Sequence, residues 1–193
     1  MKTKVRALAA LAAILAAPGA MADSDTCTGS GCSTAPIAVD FSITIPAFLR
    51  FQLGQDGLVP EVQFNGGITA ANVGNGTPIP ADTVQNAGSG ANGNQVRYEL
   101  VSNAGGTDVT ISAAGVGSDL TDGSGNTIPY TEIGGSSTGA VALPIAGSQT
   151  VVPMPAGGVI NETGYWAYTF ANSTLYPSGT YTGTIRYTAT HNP

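Results

Sequence analysis

Hydrophobic and polar residues alternate cleanly over residues 37–45: Ile37, Val39, Phe41, Ile43 and Ile45 fall on one face, and Ala38, Asp40, Ser42 and Thr44 on the other. Period two over that length predicts a strand with one face buried, Phe41 included. Pro46 interrupts the pattern, and Leu49, Phe51 and Leu53 then resume it opposite Phe48 and Arg50. A bend between sheets is expected at Pro46-Ala47, because proline cannot donate to a ladder. Residues 58–64 (LVPEVQF) read as a further strand after a Gly57 turn. From 65 to 94 the chain is rich in glycine and turn dipeptides, which predicts a long surface excursion with one weak strand around residues 68–73.

In QVRYELVSNAGGTDVTISAAG, the apolar Val96, Tyr98 and Leu100 match Val109, Ile111 and Ala113, while Arg97, Glu99, Asp108 and Thr110 point the other way. Residues 103–106 supply loop chemistry, so a hairpin is predicted here. Further strands are expected over 127–133, 139–145, 149–154, 165–171 and 180–190. In the last of these, Tyr181, Gly183, Ile185, Tyr187 and Ala189 form a packing face against a Thr-rich wet one. The fold class is all-β: an antiparallel Ig-like β-sandwich of about nine or ten strands.

The opening residues change the picture of where this sandwich works. Lys2, Lys4 and Arg6, then an apolar run from Ala7 to Ala17, then Ala20-Met21-Ala22, have the layout of a secretory signal peptide. The run is too short to span a bilayer, and no other segment is long and apolar enough. The expected organisation is a signal peptide at 1–22, a cysteine-bearing tail at 23–36 and one sandwich domain at 37–193. Export to the periplasm, cell surface or medium follows. Cleavage removes every lysine, leaving three arginines against twelve acids and a net charge of −9. Such a chain has no basic patch for phosphates, so nucleic acid is excluded as an expected partner. In an oxidising compartment Cys27 and Cys32, in CTGSGC, are expected to form a local disulfide.

The stretches FSITIP, WAYTFAN and SGTYTGTIRYTAT resemble bacterial surface β-sandwich modules of two kinds: pilin-type subunits of chaperone–usher systems and WxL-type cell-surface domains. The resemblance covers mainly residues 37–64 and 165–190. The tryptophan-x-leucine motif is absent, since Trp166 precedes Ala167 and Tyr168; the chain ends His191-Asn192-Pro193, and both cysteines precede the domain. Likeness to pilins implies a partner: the chain itself, or another surface subunit, joined by strand addition. Ile37, Val39, Phe41, Ile43 and Ile45 would then fill pockets of a neighbour. The same residues also read as the first strand of a self-complete domain, which the strand count favours.

Chemistry has few footholds, and no catalytic residue or cofactor is expected. His191, the only histidine, sits near the end without an orienting partner, where it is expected to be solvated, and no Ser/His/Asp set or P-loop occurs. Glu99 with Asp108 reads as surface charge rather than a glycosidase pair. Asp119, Asp122 and Asn126 suggest a calcium loop, but the sixth position is Thr127 and Glu132 falls one residue early, so a hairpin turn is the stronger reading. Trp166, Tyr168 and Phe170 alternate in a row that either fills the core or, exposed, stacks on a glycan. The expected function is an exported, non-catalytic surface or structural sandwich of filament-subunit type, with a secreted carbohydrate- or ligand-binding module as the alternative.

Overall fold

The computed structural model describes residues 25–193. The chain divides into two compact units, Met1–Thr44 and Ile45–Pro193. The signal-peptide reading of 1–22 lies outside the described residues. In the first unit, the described stretch 25–44 holds a disulfide-closed turn followed by chain without ladder partners.

The second unit is an antiparallel β-sandwich. Its strands in chain order are β1 (Leu49–Leu53), β2 (Glu61–Gln63), β3 (Ile79–Pro80), β4 (Thr83–Gln85), β5 (Gln95–Ser102), β6 (Asp108–Gly115), β7 (Asp119–Thr121), β8 (Thr127–Pro129), β9 (Ile133–Ser137), β10 (Gln149–Pro153), β11 (Ile160–Phe170) and β12 (Ile185–Asn192), with a 3-10 turn at Tyr130–Glu132. One sheet runs β1-β5-β11-β3, with β9 also on β11; the other runs β10-β6-β12. Two small ladders, β2-β4 and β7-β8, flank them. Alternation buries one face of each long strand: Val96, Tyr98 and Leu100 from β5 and Trp166 from β11 meet Val109, Ile111 and Val152 from β6 and β10.

The expected hairpin over 95–113 is not formed. β5 pairs with β1 and β11, β6 pairs with β10 and β12, and residues 103–107 cross from one sheet to the other. The apolar faces therefore meet across the core instead of side by side, an arrangement the same alternation satisfies. Gly105 and Gly106 both take φ +76 in the crossing, and a Cβ on Gly106 would collide with the Asn192 carbonyl. Asn103 and Ser102 at the head of the crossing hold the chain that leads into β1. The Phe48 amide donates to Asn103 Oδ1 at 2.8 Å, Asn103 Nδ2 donates to the Pro46 carbonyl at 3.1 Å, and Ser102 Oγ donates to the Phe48 carbonyl at 3.2 Å.

Two other expected strands are replaced by irregular chain whose backbone is satisfied by side chains. Over 139–145, the Val141 amide donates to the Tyr98 hydroxyl (3.1 Å), while its carbonyl accepts from Trp166 Nε1 (2.9 Å) and Ser137 Oγ (2.7 Å). Val141 thus enters the core without a ladder. Residues 68–73 form turns, anchored by Asn172. Its Oδ1 accepts from the Gly74 amide and its Nδ2 donates to the Asn72 carbonyl, both at 2.7 Å. The expected strand over 127–133 is split by the 3-10 turn, and the last strand begins at Ile185, with Thr182 making only a bridge to Thr121.

Candidate functional site

Residues 37–45 do not form the half-buried strand that their pattern predicts. They join no ladder, and Ile37, Val39, Phe41, Ile43 and Ile45 are all exposed, Phe41 at 87% and Ile43 at 84%. A strand needs hydrogen-bonding neighbours as well as an apolar face, and here alternation supplies only the second. Pro36 and Pro46 bracket the segment, so the nine residues between them form an uninterrupted set of backbone donors. Each large apolar side chain left in water forgoes about 1.5–3 kcal/mol relative to full burial. Five such side chains within nine residues leave an unusual run of large apolar groups in water.

The sandwich carries a concave apolar surface of its own. A groove of about 410 Å³ opens between the sheets, lined among others by Leu53, Val62, Val96, Tyr168, Ile185 and Tyr187. On its floor the Tyr168 hydroxyl donates to the Tyr187 hydroxyl at 3.3 Å, tying β11 to β12 across the core. Burial raises both phenols. Tyr168 stands well above its ordinary value, pushed further by the neighbouring Tyr187; for Tyr187 the hydrogen bond from Tyr168 offsets part of the rise. Beside the groove runs β12, whose only strand partner among the described residues is β6. In an antiparallel ladder alternate residues direct their amide and carbonyl groups to opposite sides, so half of those in β12 point away from β6. The free edge is eight residues long, close to the length of the segment between the prolines.

The ladders also orient this edge. Leu49 lies opposite Ser102 and Asn192 opposite Asp108, so the start of β1, the β5–β6 crossing and the end of β12 share one end of the sandwich. Leu53, Val96 and Ile185 mark the other end, where the groove opens. Residues 45–48, which lead into β1, are therefore rooted at the end away from the groove.

The remaining sequence-singled residues serve local structure. Cys27 and Cys32 form the expected disulfide, with Cα atoms 6.0 Å apart. Asp122 turns its carboxylate into its own loop: Oδ1 accepts from the Ser124 amide (2.8 Å) and the Asn126 amide (3.1 Å), and Oδ2 from Asn126 Nδ2 (2.7 Å). These bonds, the Asn126 side chain first, hold its pKa below the usual carboxylate value. With Asp119 opposite Pro129 at the base of the β7–β8 ladder, the stretch is a hairpin turn. Among the described residues no cluster of three or more His, Cys, Asp or Glu is placed to hold a metal ion. Glu99 is paired with Arg50 and, at 3.1 Å, with Arg97. Asp108 accepts from Asn192 and belongs to the opposite sheet, so the structure does not bring the two carboxylates into a pair across a hairpin. His191 is half-buried rather than solvated, its Nε2 donating to the Gly105 carbonyl at 2.5 Å. Trp166, Tyr168 and Phe170 lie in the core. No helix among the described residues is long and apolar enough to cross a membrane.

Sequence reasoning missed Asn172, which is fully buried at φ +55 and organises the 72–77 loop. A lone Asn after an aromatic strand, where helix and sheet propensities are both poor, was its only signal. No protein-family model matches this sequence, and no curated protein sequence matches it.

Proposed function

We propose that this chain is an exported, non-catalytic structural β-sandwich subunit of bacterial surface type that assembles by strand addition. In this reading, residues 37–45 of one copy lie along β12 of the next and place their apolar side chains in its groove. The observation that carries the reading is the exposure of all five alternate apolar residues, Ile37 to Ile45, in a segment without a ladder. The open edge of β12 and the apolar groove beside it offer what that segment lacks: backbone partners and a dry face. Donor and acceptor are different surfaces, so the contact is heterologous, and it runs head to tail into an open chain wherever the rotation between copies does not close a ring. The rooting of residues 45–48 away from the groove end suits that propagation. Export is supported by the charged, apolar and small-residue order of residues 1–22.

The test is a ladder on unheated SDS gels from concentrated mature chain, collapsing to monomer on boiling. A synthetic peptide spanning residues 36–46, added in excess, should shorten the ladder by occupying the grooves. A chain that stays monomeric at every concentration and does not bind the peptide overturns the proposal; its retention on a glycan resin would instead support a carbohydrate-binding module.

A further inference from the structure

We infer that Asn92–Gly93 is a site of spontaneous covalent modification, the Asn–Gly step that the fold leaves free to deamidate; the inference does not depend on the assembly reading above. The reaction is internal to the chain. The Gly93 amide nitrogen attacks Asn92 Cγ, and an N–Cγ bond forms as the Cγ–Nδ2 bond breaks. The attacking nitrogen's proton leaves with Nδ2 as ammonia. Water then opens the succinimide ring at either carbonyl, giving aspartate or isoaspartate. Glycine in the second place favours the attack, because it has no Cβ to obstruct the ring and reaches the required backbone conformations easily. Either product adds a negative charge, and isoaspartate also reroutes the main chain through the side chain, at the turn that leads into β5.

The sequence holds three such steps: Asn65–Gly66, Asn75–Gly76 and Asn92–Gly93. All of these residues are exposed, so access to water does not separate them. Hydrogen bonding does. The Gly66 amide donates to the Asp82 carboxylate, and Asn65 Nδ2 donates to Gln63 Oε1 at 3.1 Å. The Gly76 amide donates to the Asn172 carbonyl at 2.8 Å. Asn75 Oδ1 accepts from the Thr77 amide at 2.8 Å and from Asn172 Nδ2 at 3.3 Å. At both steps the attacking nitrogen must give up a bond, and the carboxamide must leave its partner, before the ring can close. At the third step neither the Gly93 amide nor the Asn92 carboxamide has a hydrogen-bond partner among the described residues. The Asn92 carbonyl accepts from the Gln95 amide at 2.9 Å, and the Asn92 amide donates to Gln95 Oε1 at 3.4 Å. This turn holds the main chain of Asn92 and leaves the reacting atoms unengaged.

The experiment incubates the mature chain at mildly alkaline pH, folded and in concentrated urea, and follows the mass gain at each asparagine by peptide mapping. In urea the three steps should react at similar rates. In the folded chain Asn92 should stay close to its urea rate, while Asn65 and Asn75 slow by about fivefold or more, the factor that one hydrogen bond of ordinary net strength represents. A Cβ on Gly93 would meet nothing nearer than the Asp82 carbonyl at 4.0 Å, so Gly93→Ala fits the fold. That variant should suppress modification at Asn92 and leave the melting point unchanged. Asp82→Ala frees the Gly66 amide and should bring Asn65 toward the rate of Asn92. Equal rates at the three steps in the folded chain overturn the inference, as does a folded Asn92 that reacts more slowly than the other two. The same spread of rates in urea as in the folded chain also overturns it, because sequence and not hydrogen bonding would then set the order.

Discussion

In β5, Val96, Tyr98 and Leu100 alternate with Arg97 and Glu99, and the apolar three are almost wholly buried; in residues 37–45, five apolar residues alternate as regularly and all are in water. The two segments differ little in composition and period. They differ in neighbours. β5 has β1 on one side and β11 on the other, with β6 facing it from the second sheet, so its backbone and its apolar face are both satisfied. Residues 37–45 have a face and no ladder. Period two therefore specifies an amphipathic strand and says nothing about whose sheet it completes.

The comparison breaks most visibly at Trp166, which packs on Tyr98, Phe51 and Tyr187 and donates to the Val141 carbonyl. Trp166→Ala should cost about 3–5 kcal/mol by urea unfolding through lost transfer energy and an unfilled cavity. That corresponds to a melting point roughly ten degrees lower. Alkaline pH tests the same core by another route. Tyr168 and Tyr187 have raised pKa values in the fold, so folding disfavours their phenolates. Their contribution is fully present below pH 10 and lost as the pH rises toward the folded values. Denaturant midpoints should fall above pH 10, and Tyr187→Phe should blunt the fall.

Asn172→Ala should destabilise by about 1–3 kcal/mol, since the Gly74 amide and the Asn72 carbonyl lose their partner. Hydrogen exchange should quicken at residues 72–77 first. Asn103→Ala removes the two side-chain bonds at 46–48 and should cost about 1 kcal/mol, with exchange quickening at Phe48. Phe41→Ala sharpens the contrast at the small end: monomer stability should stay within about 0.5 kcal/mol of wild type, while the SDS-resistant ladder disappears. A monomer destabilised by several kcal/mol would return residues 37–45 to the sandwich's own core.

The elements that were legible in the sequence are those where local pattern and tertiary surroundings agree. The all-β class, the alternation of β5, β6, β10 and β11, the Cys27–Cys32 pairing and the burial of Trp166 all follow from period, turn chemistry and residue size. The β5–β6 connection was misread because a hairpin and a crossing between sheets impose the same in-out pattern; only strand partners distinguish them. Residues 139–145 were misread because Val141 satisfies its backbone through Tyr98, Trp166 and Ser137, side chains distant in sequence from it or serving another element. For the candidate site, the five alternating apolar residues of 37–45 could be read from the sequence, whereas the groove could not. Leu53, Val96 and Ile185 come from three widely separated strands, and no local window contains them.

The strand order has a kinetic consequence. β11 pairs with β5 from more than fifty residues away, β12 pairs with β6 from at least seventy, and Asn172 grips the loop at Asn72 from a separation of 100. Loop-closure entropy must be spent before any of these contacts forms, which places the chain among slow, high-contact-order folders. A nascent chain cannot assemble the sandwich from its N-terminal half, because the central strand of one sheet and the edge strand of the other are made last. Until β11 and β12 are free, β5 and β6 each keep one ladder edge without its partner and the core between the sheets stays open. Throughout that interval the chain is at its most vulnerable to aggregation.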